Sequence, residues 1–182
     1  MNVTEIQQAL RDIGWPVTVD GVAGGQTRSA VWDLQAGFAF RPLAIDGQAG
    51  PQTQEALREC LDKGGKCSAY FAFREFKSKG NGWIKIARMH AFRLDRYREQ
   101  VGPVSVVSGY RDPRYNAGLK GAATNSRHVH GDGTDVPGVR SQGQVRAMGL
   151  FTGIGTVRSS GLVVHVDSRP GDPANPTLWY YG

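Results

Sequence analysis

The sequence predicts an α+β protein in two parts: a small three-helix domain, then a mixed α+β domain with a small antiparallel sheet. Three observations carry this reading. One pattern occurs twice near the N-terminus, Asp20-Gly-Val-Ala-Gly-Gly-Gln-Thr-Arg-Ser-Ala30 and Asp46-Gly-Gln-Ala-Gly-Pro-Gln-Thr-Gln-Glu-Ala56. Apolar residues recur at helical spacing through much of the first hundred residues. Leu162 to Asp167 instead alternates with the period of a strand, placing Val163, His165 and Asp167 on one face.

The elements follow in order. Val3, Ile6, Ala9, Leu10 and Ile13 mark a first amphipathic helix. In each copy of the repeat, Asp-Gly makes a tight turn and the second glycine frees the backbone. Thr27 or Thr53 then caps a helix that buries Ala30, Val31 and Leu34, or Ala56, Leu57 and Cys60/Leu61. These helices fill a domain of residues 1–64. Residues 65–82, rich in Gly, Lys and Ser, read as linker and connecting loop. A long helix is expected over 83–101 from Trp83, Ile86, His90, Leu94, Tyr97 and Val101, ended by Gly102-Pro103. It opens a second domain, 83–182, which holds a strand-like Val104–Ser108, a short helix over Gln142–Gly149 and the strand at Leu162.

Composition narrows the function classes. Of 182 residues, 40% are hydrophobic, enough to build a core, and no apolar run is long enough for a bilayer span. Residues 1–64 hold five Lys/Arg against eight Asp/Glu, and the rest hold seventeen against eight. An acidic part joined to a basic one suits an anionic polymer as partner. No basic stripe interleaved with aromatics and no readout module accompanies that charge, which argues against nucleic acid. Cys60 and Cys67 read either as a small disulfide loop or as two free thiols.

Chemistry concentrates in Ser126-Arg-His-Val-His-Gly-Asp-Gly-Thr-Asp135 and in His165-Val-Asp167. His128 alone reads as a loop histidine and His165 alone as a core one. Together with Asp135 they supply the two-His, one-carboxylate set that suits a catalytic zinc with an open position.

Two resemblances sharpen this. The doubled turn resembles the peptidoglycan-binding domain found beside many wall-degrading enzymes. The stretch Ser126–Asp135, with Ser108-Gly-Tyr-Arg111 before it and His165-Val-Asp167 after it, resembles the zinc D-alanyl-D-alanine carboxypeptidase family of peptidoglycan peptidases. The resemblance implies Zn2+ held by His128, Asp135 and His165, with metal-assisted amide hydrolysis. Arg111 is implied to stabilise the substrate carbonyl or carboxylate, and Ser126 to line the substrate site. Many members carry an acid three residues before the last His, where this chain has Leu162. Asp167 is therefore expected as general base; otherwise it orients His165, and another acid or His130 takes that role.

The expected protein is a monomeric peptidoglycan hydrolase without membrane insertion. The missing secretory signal fits a phage endolysin made in the host cytoplasm, or a mature secreted enzyme. The alternative is an inactive wall-binding protein with a structural zinc site.

Overall fold

The computed structural model describes residues 1–182. Helices α1 (Val3–Ile13), α2 (Gly25–Gly37) and α3 (Pro51–Asp62) form the N-terminal part. Asn2 and Glu5 close a reciprocal capping box on α1. The two repeat turns are held by a device the sequence reading did not anticipate. The side-chain oxygen of Gln7 accepts from the backbone N–H groups of Asp20 and Gly21. Its amide nitrogen donates to Asp20 Oδ1, Val22 O and Thr27 Oγ1. Gln35 repeats every one of these contacts on Asp46, Gly47, Gln48 and Thr53.

This corrects two details. Thr27 and Thr53 bond to the glutamines, while Gly24 and Gly50 occupy the cap positions. The left-handed residue of each turn is the first glycine, Gly21 or Gly47, at φ 74° and 71°.

Residues 65–82 are packed. Cys67, Phe71, Phe73 and Phe76 are buried, and Phe73–Phe76 forms a 3-10 turn. Cys60 and Cys67 are both buried free thiols. Helix α4 runs Arg88–Val101, starting later than its periodicity suggested. Residues before it are extended because they are pinned: the Trp83 indole donates to Asp33 Oδ2 at 2.7 Å, and Trp15 donates to Ile84 O at 3.1 Å. One cluster of 30 buried residues runs from Ile6 to Val166, so both halves share a core.

Short helices α5 (Pro113–Gly118), α6 (Arg127–His130) and α7 (Gln142–Ala147) flank strands β1 (Gly133–Asp135), β2 (Gly153–Val157), β3 (Val163–Asp167) and β4 (Thr177–Tyr181). The strand order is β1-β3-β2-β4. Two pairings are antiparallel, but β4 joins β2 in parallel, so the sheet is mixed rather than purely antiparallel. Val104–Ser108 forms no strand; its end runs beside β1, where Asp135 N donates to Ser108 O at 2.8 Å.

Candidate metal centre

The sheet register builds the site. Asp135 on β1 lies opposite His165 on β3, His165 opposite Gly155 on β2, and Gly155 opposite Trp179 on β4. Register partners share a face, so these four residues form one row across all four strands. The next row is Gly133, Asp167, Gly153 and Thr177. Both β2 positions in these two rows are glycines, and the space is used. A Cβ at Gly153 would overlap the Asp167 carboxylate; one at Gly155 would lie 2.8 Å from atoms of Trp179 and of Tyr181. The bare stripe lets neighbouring side chains lean across β2.

His128 reaches the row from α6. Gly131, left-handed at φ 76°, ends that helix after one turn and returns the chain into β1. The two Asp132 oxygens bind the guanidinium of Arg127, bracing the same loop.

Three donor atoms converge. His128 Nε2 lies 3.1 Å from Asp135 Oδ1 and 3.1 Å from His165 Nδ1, and His165 Nδ1 lies 2.9 Å from Asp135 Oδ1. The outer contacts of each ring fix which nitrogen faces inward. His128 Nδ1 sits 2.6 Å from Gly109 O, which can only accept, so Nδ1 carries the hydrogen and Nε2 offers a lone pair. His165 Nε2 faces Asp167 Oδ2 at 3.4 Å, which leaves Nδ1 as its inward atom. Two imidazole lone pairs and a carboxylate oxygen aimed at one point repel one another unless a cation or proton lies among them. Their spacing is close to the roughly 3.3 Å between donors on a tetrahedral zinc with bonds of about 2.05 Å. The residues therefore fit the ion.

Burial pushes the Asp135 carboxyl up, but hydrogen bonds and charge from His128 and His165 outweigh it and hold it well below the usual carboxylate range. Burial also opposes charge on His165, yet Asp135 on one side and Asp167 on the other raise it.

Arg111 binds Asp135 Oδ2 through Nη2 and Ser108 Oγ through Nε at 3.1 Å; Nη1 has no protein partner. Ser126 is the residue before α6, and its hydroxyl caps nothing. Both line a cleft of about 1250 Å³ together with the three donors.

Asp167 does not reach this cleft. It is fully buried behind His165, on the nitrogen remote from the other donors. Arg169 binds both its oxygens, Nε to Oδ1 at 2.9 Å and Nη2 to Oδ2 at 2.5 Å. Burial raises its pKa, but Arg169 and His165 more than reverse this and leave it below the ordinary value. A clamped, weakly basic carboxylate facing away from the cleft is placed for the other role expected of it, orienting His165, rather than for taking a proton there. His130 is exposed and bonds Asn125, apart from the cluster. Leu162 lies beside Gly138 and brings no polar group.

His90, on the periodic face of its helix, is buried behind the row as that spacing suggests, bonded to Ser168 Oγ at 2.8 Å and Thr134 Oγ1 at 2.9 Å. One feature escaped the sequence reading. Trp179 and Tyr181 line the cleft; the Trp179 ring stands 5.3 Å from that of His165. The alternating glycines of Gly153-Ile-Gly155 were the available signal.

Comparison with known families agrees with both halves of the chain. A peptidoglycan binding domain matches residues 1–57, and Peptidase M15 matches residues 70–167. No curated protein and no solved structure matches the chain. The second match ends at Asp167, so β4 lies beyond it.

Proposed function

The chain belongs to the Peptidase M15 family, and from that premise we propose that it is a zinc metallopeptidase hydrolysing amide bonds in the stem or cross-link peptides of bacterial peptidoglycan. The peptidoglycan-binding domain makes the wall polymer its partner. The observation that carries the zinc assignment is the convergence of His128 Nε2, His165 Nδ1 and Asp135 Oδ1 within 4.8 Å on the floor of an open cleft.

In this reading His128, Asp135 and His165 hold the ion. When bound, zinc supplies Lewis acidity, polarising an amide carbonyl and making water acidic enough to attack near neutral pH. Asp167 keeps the His165 ring turned with Nδ1 inward, and Arg169 keeps Asp167 ionised. Arg111 holds Asp135 with one terminal nitrogen and presents the other to the substrate oxygen. Ser126 contacts the peptide along the cleft. Asp135 is the sole carboxylate lining that cleft, whereas Arg111, Lys120, Arg127 and Arg169 also line it, a charge balance suited to anionic stem peptides.

We read residues 1–64 as the wall-docking part and 83–182 as the catalytic part of a monomer. The pairing of a wall-binding part with a hydrolase favours a phage endolysin made in the host cytoplasm, with a secreted enzyme as the other setting.

The test is mass spectrometry of defined cross-linked muropeptides incubated with the protein, with and without a chelator. Chelator-sensitive products with masses of cleaved peptides are expected, and those masses name the bond. Intact muropeptides after incubation with zinc-loaded protein would refute hydrolysis and leave a wall-binding protein with a structural metal.

A further inference from the structure

A peptidase site needs a group that meets the negative charge on the substrate oxygen, and the cleft lining can be searched in full. Its ionisable side chains are Arg111, Lys120, Arg127, His128, Asp135, His165, Arg169, Tyr180 and Tyr181. His128, Asp135 and His165 form the metal set. Arg127 and Arg169 are committed to Asp132 and Asp167. The Tyr180 hydroxyl donates to Gln142 Oε1 at 3.0 Å, and Lys120 is exposed on the rim. Arg111 keeps one free nitrogen. Tyr181 remains: its one protein partner is the Trp179 indole, which can only donate to the phenol oxygen and so leaves the Tyr181 O–H free.

Building on the peptidase reading, we propose that Tyr181 is a catalytic residue whose phenol donates a hydrogen bond to the amide oxygen of the substrate as that oxygen becomes negative. As water attacks, a carbon–oxygen bond forms and the carbonyl π pair moves onto oxygen, where the Tyr181 O–H and Arg111 Nη1 stabilise it. The pair then returns and the carbon–nitrogen bond breaks; one proton of the water ends on the departing amine, and the other stays on the new carboxyl group, which releases it to solvent.

The sheet brings Tyr181 there. It follows Trp179 by two residues on β4 and so shares the face carrying Asp135 and His165. Its ring stands 6.3 Å from that of Trp179, nearly edge-on, and both lean over Gly155. Partial burial raises the phenol above its ordinary value against the lowering effect of the Trp179 hydrogen bond, with Asp135 and Arg111 acting on it through space, so it stays a donor at neutral pH. Gly155 carries no side chain that would block this approach.

The test is Tyr181→Phe, which keeps the ring and removes only the hydroxyl. Loss of one such donor lowers kcat by about 10²–10³-fold. We expect that loss with KM within about threefold, unchanged zinc stoichiometry and an unchanged melting temperature. Affinity for a phosphinic pseudopeptide, a tetrahedral mimic, should fall by a similar factor while affinity for the product peptide holds. Gly155→Ala, which displaces the aromatic pair, should lower kcat in the same direction. A variant Tyr181→Phe with kcat within twofold of an active wild type overturns this proposal alone. A wild type that binds zinc and cleaves nothing overturns the peptidase reading and this proposal with it.

Discussion

Replacing Asp167 by Asn separates two jobs that a carboxylate can do beside a metal-binding histidine. Asp167 Oδ2 faces His165 Nε2 at 3.4 Å and Arg169 Nη2 at 2.5 Å, and Oδ1 takes Arg169 Nε at 2.9 Å and its backbone N–H at 3.2 Å. An amide has one acceptor oxygen where the carboxylate has two, so one of its neighbours must face an N–H instead. If His165 loses its acceptor, nothing fixes which ring nitrogen carries the hydrogen. Outer partners of this kind are worth about 10–100-fold in metal affinity, or about 1.4–2.7 kcal/mol. Arg169, 30% exposed, also loses its counter-charge; discounted for that exposure, the cost in stability is about 2–3 kcal/mol. Competition with a chromogenic chelator would measure zinc affinity, alongside a thermal melt and muropeptide turnover at saturating zinc. The zinc Kd should rise by about 10–100-fold, with kcat at saturation falling no more than about tenfold. Unchanged zinc affinity with a 10³-fold loss of kcat, the scale of a lost general base, would refute the geometry and restore Asp167 as proton acceptor.

Other expectations follow from the same contacts. Burial depresses His90 from 6.5 to about 3, so below pH 6.5 the unfolded chain takes a proton that the folded chain refuses. This contribution is intact above pH 6.5 and lost as pH falls towards 3, amounting to about 2 kcal/mol by pH 5; His90→Asn should flatten that part of the stability–pH curve, and an unaltered curve would acquit His90. Gly153→Ala, whose Cβ would overlap Asp167, should destabilise by about 1–3 kcal/mol and weaken zinc binding, whereas Gly143→Ala, with open space around it, should do neither. Gln35→Ala strips the contacts that hold the second repeat turn and should cost about 2–4 kcal/mol, seen as a melting temperature lower by about 5–15 °C. Gln8→Ala, which loses one exposed contact to Asp12, serves as its control.

What the sequence revealed was whatever is written in local pattern. The three N-terminal helices, the core of α4 and strand β3 announce themselves through apolar periodicity. His128, Asp135 and His165 stood out because a glycine-rich loop dense in ligand types is rare. What stayed hidden depends on partners distant in the chain. Gln7 and Gln35 sit inside helices and look like solvated polar residues, yet both are about 1% exposed and bond to turns more than ten residues away. Asp167 shares a strand face with His165, as its spacing indicates, but spacing cannot tell which nitrogen of the ring it meets. That was decided by Arg169, two residues further on. The start of α4 was misjudged because Trp83 and Ile86 fit a helical period while the backbone around them was claimed from elsewhere: Trp83 O accepts from Ser78 N–H, Ile84 O from the Trp15 indole, and Ala87 N–H donates to Gly131 O.

The shared core has a consequence for how such a molecule works on a wall. An enzyme and an anchor joined by a loose tether can graze any bond within a sphere around the anchoring point, and its local substrate concentration follows tether length. Here Trp15 grips the backbone at Ile84, Trp83 grips Asp33, and Gly37 is pressed against Phe73 and Ile86. The cleft is held at one offset from the docking helices, as the jaws of a calliper are held at one opening. Where the anchor lands selects which peptides of the mesh come under the blade, so wall architecture, and not only bond chemistry, sets what is cut.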